Sequence, residues 1–558
     1  MIKDLIKYAP GLSVIMREES GRIVCSSWSP RYRSLHNNLE RMNRVESNER
    51  DLRVTKGRIT MKTIRSRIGS FIAYAMLSIV IITMIACWNE LGTLFNSGNY
   101  DNEDNMVETI MAKTATPGVA VIVSEQGETK YKFYGYADVN NNKMVREESL
   151  FELGSTTKAF TALAIILLAD EGYLSYSDYI SDYIPWFEPT FKGEKVNISI
   201  NQLLAHTSGI PSWSIRLIPE GTTEDMLEKT IHNISDIALD TYPGTEYNYA
   251  TVNYDVLAMI IEEVTGKSYQ DYVTENILVP LKMIDSYFST GQEKESDKLT
   301  KGYRVFFGRS LEYDAPRYYG NIAAGYLVTN SKDIGRWINA QMGIDEIPDN
   351  LMNAIQKSHE IDIKTAGYEE KNQYYSFGWT IDTKNRVVSH NGANPNYSSQ
   401  AIIDLEKQQG IFVLANMNST APSLIASNTY ENMNGNHMNK FNYDDVYLLI
   451  DLVFSFLVII AVVILCFQAI KLVRGIKPII NDEKTRFRKI TANSIALILR
   501  VMLLVLVIIW PFLLNLDYLM IGVWMSYSVY MWIGLTTINC ILSIIINIRK
   551  MAIIRSGL

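Results

Sequence analysis

The chain has 558 residues, of which 47% are hydrophobic and 20% charged, and 53 basic against 60 acidic side chains leave a net charge of −7. This length permits several domains and a sizeable core. The basic residues cluster beside apolar blocks and form no stripe across the middle of the chain, which argues against nucleic acid as a partner. Three of the four cysteines, Cys87, Cys466 and Cys540, lie in or beside apolar blocks, which excludes a disulfide framework in the globular middle.

The N-terminal part of the chain reads as an extension followed by a membrane signal. Residues 1–60 are polar, basic and aperiodic, and we interpret residues 1–68 as a cytoplasmic extension without a function of its own. Met61 opens a segment typical of a signal n-region, so Met1 and Met61 are alternative starts. Residues 69–88 are almost unbroken apolar sequence and predict either a cleaved signal peptide or a signal-anchor helix, and both alternatives place the next residues outside.

Residues 100–436 predict a globular α+β domain. Apolar, β-branched runs around a polar turn predict one hairpin within residues 118–136 and a second within residues 401–415. Residues 159–168 are apolar on every side, which is typical of a helix buried between layers. We therefore predict an antiparallel sheet closed by N- and C-terminal hairpins and flanked by helices.

Three apolar segments near the C-terminus, residues 452–470, 496–514 and 523–546, are each long enough to span a membrane and predict a three-helix membrane domain over 448–548. Basic side chains fill the loop after the first segment and follow the last, whereas the loop around Asp517 has none. The positive-inside rule therefore predicts a multi-pass protein of a bacterial cell membrane with an extracytoplasmic middle domain. Aromatic residues near the outer surface fit an interfacial belt: Trp524, Tyr527, Tyr530 and Trp532.

A serine and a lysine at a spacing of three, Ser155 and Lys158, open the predicted buried helix. This spacing puts both side chains on one helical face. A serine hydroxyl needs a neighbouring base to act as a nucleophile, and a partly buried lysine with a lowered pKa can serve. Taken alone, the pair is more typical of an N-capping serine beside a surface lysine than of a catalytic pair.

Two further motifs favour catalysis. Tyr249 lies just before a helical run and is a candidate for proton transfer to the leaving group, although a core aromatic residue would also fit there. Ser389-His390-Asn391-Gly392-Ala393 precedes the C-terminal hairpin, where Gly392 would allow a substrate backbone to approach an edge strand. Backbone N–H groups of Ser155 and Ala393 are then candidates for an oxyanion hole.

The histidines do not indicate a metal centre. His206 is interpreted as structural, because Lys158 already fills the position of the base and no carboxylate is obviously paired with the imidazole. The sequence has six histidines and no H-E-x-x-H pattern, so neither a metal nor a cofactor is predicted.

The order S-x-x-K at 155–158, Y-x-T at 249–251 and H-x-G at 390–392 resembles the signature of the penicillin-binding and class C β-lactamase superfamily of serine enzymes. The resemblance covers about residues 105–418 and implies a β-lactamase/transpeptidase-like fold and an acyl-enzyme. Thr251 departs from the Asn that is usual in β-lactamases. That Asn helps to bind the acylamide side chain of β-lactams, so the departure argues against efficient antibiotic hydrolysis.

Segments 151–163, 249–267, 389–399 and 410–419 are also similar to the prodrug-activating peptidases of peptide–polyketide natural products such as colibactin, zwittermicin and xenocoumacin. Those enzymes have three C-terminal transmembrane helices and remove an N-acyl-D-asparagine cap from an inactive precursor after export. The resemblance implies a D-Asn carboxamide site at Glu152, Thr251, Asn321 and either Asn394 or Asn396, with His390 and Gly392 of the H-x-G motif as further substrate-binding candidates.

Three functions remain in competition. The main hypothesis is a D-asparaginyl peptidase whose partner is the capped precursor, with membrane lipid around its helices. The second is a D,D-peptidase or β-lactamase acting on cell-wall peptides or penicillins. The third is a non-catalytic membrane sensor or exporter partner, which intact Ser155, Lys158 and Tyr249 argue against. Whether the helices form a homodimer or contact a drug exporter stays open.

Overall fold

The computed structural model describes residues 16–19, 22–25, 100–289, 297–438, 445–474, 482–513 and 517–556. The predicted signal segment and most of the N-terminal extension lie outside the described residues. The chain divides into two compact units, Met1–Phe71 and Ile72–Leu558. In the first unit, β1 (Met16–Glu19) and β2 (Arg22–Cys25) pair antiparallel.

The strands of the second unit follow in chain order: β3 (Gly118–Glu125), β4 (Glu128–Asp138), β5 (Lys143–Met144), β6 (Phe151–Glu152), β7 (Thr190–Phe191), β8 (Glu194–Lys195), β9 (Tyr287–Phe288), β10 (Tyr303–Phe306), β11 (Arg309–Glu312), β12 (Leu327–Thr329), β13 (Gly367–Glu370), β14 (Gln373–Ser376), β15 (Trp379–Asp382), β16 (Val387–Asn394), β17 (Tyr397–Asp404) and β18 (Gln409–Ala415). Nine of the described strands form one sheet in the order β13-β14-β15-β16-β17-β18-β3-β4-β5. Its neighbouring strands pair antiparallel.

The described α-helices of this unit are α1 (Glu103–Thr114), α2 (Lys158–Asp170), α3 (Ile180–Tyr183), α4 (Ile200–Leu204), α5 (Met226–Asn233), α6 (Val252–Thr265), α7 (Tyr269–Val273), α8 (Ile322–Gly325), α9 (Ser331–Gln341), α10 (Asp349–Ser358), α11 (Ala421–Met433), α12 (Val446–Arg474), α13 (Glu483–Leu513), α14 (Tyr518–Trp524) and α15 (Tyr527–Ser556). Short helices of other types occupy Gly154–Thr157, Ser212–Leu217, Thr274–Leu278 and Tyr319–Asn321.

The sheet is buried on both faces because successive side chains of its central strands point to opposite layers. Val119 and Val121 of β3 pack in a cluster with residues of α1 and α11. Ala120 and Ile122 of the same strand belong to the main core, which includes nearly all of α2. Both predicted hairpins and the predicted buried helix are confirmed, and β18 pairs with β3, so the two hairpins lie side by side within one sheet.

Three of the described helices, Val446–Leu472, Glu483–Leu513 and Tyr527–Arg555, are long and apolar enough to cross a membrane. The third begins later than predicted, because residues 518–524 form the separate helix α14, which Asp517 caps by accepting a hydrogen bond from the Met520 N–H. Composition alone could not locate this break, since the apolar residues continue through it.

Candidate active site

Ser155 lies in a single 3-10 turn, Gly154–Thr157, which leads directly into α2. Gly154 has a positive φ of 61°, and a Cβ atom there would lie 2.4 Å from the backbone nitrogen of Ala393. Only glycine tolerates both this conformation and this approach. The close packing of β16 on the turn places the backbone nitrogen of Ala393 beside the turn that contains Ser155, where the oxyanion hole was predicted.

Lys158 is fully buried, and its Nζ lies 3.0 Å from Ser155 Oγ, 3.1 Å from Thr251 Oγ1 and 2.9 Å from the carbonyl oxygen of Ala324. Burial lowers the pKa of Lys158 to about 7, against a smaller opposing effect of the Asp255 carboxylate. A neutral amine has two hydrogens and one lone pair. Because Thr251 and Ala324 provide two acceptors, the lone pair is left for the Ser155 hydroxyl.

Tyr249 also lies beside Ser155. Burial raises the pKa of its phenol well above the usual value, and interaction with the Ser155 side chain only partly offsets this rise. The phenol is therefore a neutral hydroxyl. Its oxygen has no hydrogen-bond partner of normal geometry among the described residues, which leaves it free for a substrate atom.

The His206 ring packs against the Tyr249 ring, which agrees with the structural role predicted for His206. The two rings lie 4.2 Å apart between centroids, and His206 Nδ1 lies 2.9 Å from Asn253 Nδ2. Burial, followed by the charge of Lys158, lowers the pKa of the imidazole well below its usual value. The neutral ring therefore packs as an aromatic residue.

Ser155 and Tyr249 open into a cleft of about 340 Å³. Its other lining residues are Ile215, Thr251, Asn321, Ala324, Gly325, Tyr326, Asn391, Ala393, Asn394 and Trp524. The structure thus brings six of the predicted site residues to one cavity, with Lys158 directly behind it. The six lining residues that were not predicted are Ile215, Ala324, Gly325, Tyr326, Asn391 and Trp524.

Glu152 is buried and does not line the cleft, which corrects its expected contact with substrate. Its carboxylate accepts hydrogen bonds from Arg317 Nη1 at 2.6 Å and from Asn394 Nδ2 at 2.7 Å. A carboxylate buried in this way requires such partners. Glu152 therefore orients Asn394, which does reach the cleft, and Arg317 is a supporting residue that the sequence did not reveal.

His390 and Gly392 also do not line the cleft. Side chains alternate along β16, so Asn391 and Ala393 face the cleft while His390 and Gly392 face the interior. The His390 Nε2 pairs with the Tyr375 hydroxyl at 2.9 Å and its Nδ1 with the Asn391 carbonyl at 2.6 Å. His390 and Gly392 therefore do not lie where substrate contact was expected, and the alternation would have identified Asn391. Asn394 shares the buried side of β16 with them but is its last residue and does line the cleft.

The backbone that lies close to Gly392 belongs to the protein itself and not to a substrate. A Cβ atom there would lie 2.0 Å from the carbonyl oxygen of Leu153. The pairing of β15 with β16 ends at Ser389, so the following residues of β16 are open on one side and form a local edge. This edge is where the cleft lies, in agreement with the prediction of an edge strand.

Asn396 lies in the turn after β16 and is directed away from the cleft. Its Nδ2 donates to the carbonyl oxygen of Tyr313 at 3.0 Å, and it lines a separate cavity. Of the alternatives Asn394 and Asn396, only Asn394 therefore borders Ser155.

The site combines a serine hydroxyl, a buried lysine of lowered pKa, the Tyr249 phenol and a backbone N–H at a strand edge. This combination is that of a serine acyl-transfer site. The Beta-lactamase family model matches residues 104–432, which comprise the sheet and its covering helices. The chain belongs to this family.

Among curated proteins, the chain is similar to "Protein flp" of Staphylococcus aureus (strain MW2), with 32% identity over 354 residues, covering 62% of this chain and 67% of that protein. It is 28% identical to "Penicillin-binding protein 4*" of Bacillus subtilis (strain 168) over 337 residues, covering 56% and 70%. The solved structure of an octameric penicillin-binding protein homologue from Pyrococcus abyssi matches with a TM-score of 0.52 and 25% identity, covering 62% and 79%. A class C β-lactamase at 21% identity and a TM-score of 0.50, covering 58% and 93%, shares the fold.

Proposed function

We propose that this protein is a membrane-anchored serine peptidase that removes an N-acyl-D-asparagine cap from an exported, inactive natural-product precursor. Ser155 Oγ attacks the carbonyl carbon of the amide that follows D-Asn, and Lys158 Nζ accepts the hydroxyl proton. The N–H groups of Ser155 and Ala393 bind the oxyanion. The Tyr249 hydroxyl passes a proton to the amine as the C–N bond breaks, and water then hydrolyses the ester on Ser155.

The assignment of a D-Asn substrate rests on one observation. A hydrogen-bond donor and a hydrogen-bond acceptor of the protein lie side by side in the cleft. Asn394 Nδ2 donates to Glu152 and to the carbonyl of Gly325, so Asn394 Oδ1 remains an acceptor. Thr251 Oγ1 donates to Asn321 Oδ1 at 3.4 Å, so Asn321 Nδ2 remains a donor. A Cβ atom on Gly325 would lie 3.1 Å from Asn394 Oδ1 and 3.7 Å from Asn321 Nδ2.

This pair matches a primary carboxamide, which has one acceptor oxygen and one donor nitrogen. A carboxylate in the same place would set an oxygen against Asn394 Oδ1. A site whose buried groups hydrogen-bond one substrate group strongly rejects an analogue that leaves them unpaired. The pair therefore supports asparagine over aspartate at this position.

The test is hydrolysis of N-acyl-D-asparaginyl, D-aspartyl and L-asparaginyl amides by the full-length protein in detergent or nanodiscs. We expect the D-Asn amide to be cleaved at least about 10²-fold faster than the D-Asp amide. Ser155→Ala should abolish cleavage, and Asn321→Asp, which replaces the donor by an acceptor, should remove the preference for D-Asn. Equal cleavage of the D- and L-isomers, or survival of the D-isomer, would contradict the proposal.

A second candidate is a D,D-peptidase or β-lactamase, which the similarity to penicillin-binding protein 4* of B. subtilis favours. Covalent labelling of Ser155 by a fluorescent penicillin, together with turnover of a D-Ala-D-Ala peptide, would support it. Thr251 opposes it, because its hydroxyl is engaged by Lys158 and Asn321 and it cannot offer the carboxamide that β-lactamases use.

The proposal includes an extracytoplasmic location of the catalytic domain. It is supported by the three apolar helices that follow the catalytic domain within one compact unit, and by the basic residues in the loop between the first two.

A further inference from the structure

The short helix α14 belongs to the membrane part of the chain by sequence, because it connects two helices that are apolar enough to span a membrane. Its last residue, Trp524, nevertheless lines the catalytic cleft together with Ser155. Trp524 was predicted to belong to an aromatic belt facing lipid headgroups. In the structure it is half-buried.

Arg304 in the hairpin β10–β11 attaches α14 to the catalytic domain. It is 4% exposed, and its guanidinium donates to the carbonyl oxygens of Gly522 at 2.9 Å, Val523 at 2.7 Å and Met525 at 3.0 Å. These carbonyls end α14, where no intrahelical donor follows. A buried guanidinium with three carbonyl partners holds a short segment in one position.

A second contact fixes the same segment to the next elements. The Arg304 guanidinium carbon lies 3.2 Å from the ring centroid of Tyr313 and 4.4 Å from that of Tyr527. Asp451 of α12 accepts hydrogen bonds from the N–H of Gly308 at 2.7 Å and from the Ser526 hydroxyl. The position of Trp524 is therefore set by both the catalytic domain and the membrane helices.

We infer that α14 completes the substrate site, with Trp524 as a specificity residue that contacts an apolar acyl group of the substrate and Arg304 as its positioning residue. Trp524 and Ile215 form apolar walls, whereas Asn321 and Asn394 are polar. Since α14 lies where two spanning helices meet one membrane surface, an acyl chain can lie along Trp524 while its head reaches Ser155. This inference rests on the proposed function only through Ser155 as the nucleophile.

The test uses the full-length protein in nanodiscs and two alkyl fluorophosphonate probes, one with a methyl and one with a decyl chain. Ser155 Oγ forms the P–O bond, fluoride leaves, and Lys158 takes the proton, so labelling needs no particular peptide. The quantity measured is the ratio of the second-order labelling rates of the decyl and methyl probes.

We expect the wild-type ratio to exceed that of Trp524→Ala by about tenfold, the range that a few apolar contacts contribute. Arg304→Lys cannot bond three carbonyls in a fork and should lower the ratio as well. Leu519→Ala is the matched control, because Leu519 lies on α14, is 57% exposed and does not line the cleft; it should keep the wild-type ratio.

Equal ratios in the wild type and Trp524→Ala would overturn the inference while leaving Ser155 as nucleophile. If Arg304→Lys lowered the labelling rates of both probes by the same factor, Arg304 would have a purely structural role. This result would overturn its assignment as the residue that positions Trp524. Absence of labelling by both probes in the wild type would instead remove the nucleophile, and with it the proposed function.

Discussion

At the residue scale, the proposed reactivity of Ser155 depends on the protonation state of Lys158. The ammonium form of Lys158 cannot accept the hydroxyl proton, whereas the neutral amine can, and its two hydrogens are already directed at Thr251 and Ala324. Full burial is the dominant reason why the neutral form is accessible near neutral pH.

The first prediction concerns the pH dependence that follows. Because the pKa of Lys158 is lowered to about 7, the base form grows as the pH rises through this value. The kcat/KM should increase about tenfold per pH unit below pH 7 and level off above it. The measurement is the initial rate between pH 5.5 and 8.5, with samples returned to pH 7.5 to verify that the enzyme has not unfolded.

The matched variant is Lys158→Arg, whose guanidinium stays charged throughout this range. It should lose at least about 10²-fold in rate and show no step near pH 7. A wild-type profile that is flat across the range would contradict Lys158 as the base.

At the scale of elements, the site exists because the turn before α2 and the edge of β16 come into close contact. Gly154 and Gly392 lie on the two sides of this contact, and neither position has room for a Cβ atom. The contact sets the position of the Ala393 N–H relative to Ser155.

The second prediction is that Gly154→Ala damages catalysis far more than its backbone strain explains. The matched control is Gly172→Ala, since Gly172 also has a positive φ, of 78°, but no atom within 4 Å of an added Cβ. Both variants should lose about 1 kcal/mol of folding free energy through strain. Only Gly154→Ala displaces Ala393.

Gly154→Ala should therefore also lose about 10²–10³-fold in kcat, as expected when one oxyanion donor is misplaced. Urea unfolding and steady-state kinetics on both variants check this expectation. If the two variants retained equal activity, the packing of the turn on β16 would not form the oxyanion hole.

At the scale of the whole molecule, the catalytic domain and the three apolar helices form one compact unit, and the hairpin β10–β11 contacts both α12 and the end of α14. The catalytic cleft is consequently fixed relative to these helices. Under the proposed function it lies at one membrane surface, and the charges of the connecting loops predict which side of the membrane this is.

The third prediction is that the catalytic domain faces outward. In a variant without the four native cysteines, Lys371→Cys in the catalytic domain should react with a membrane-impermeant maleimide in intact cells. Arg488→Cys in the first turns of α13, next to the loop after α12, should react only after permeabilisation. Both positions are exposed in the structure, so accessibility reports the side of the membrane. The reverse pattern would refute the outward orientation.

The sequence by itself determined the fold class, both hairpins, the buried helix α2, and the three apolar helices, because each depends on a local pattern of hydrophobicity. It also singled out Ser155, Lys158 and Tyr249, since their spacing along the chain and their chemistry are readable without a structure. Their catalytic roles remain predictions until the kinetics above are measured.

Only the tertiary structure decided which side chains share the cleft. Glu152, His390 and Asn396 have suitable chemistry for substrate binding, yet burial and hydrogen bonds direct them to other protein groups. Trp524 and Arg304 lie more than two hundred residues apart in the chain and meet through contacts that no local pattern records. Hydrophobic periodicity fixes the elements, but the direction of a side chain in a site depends on how distant elements pack together.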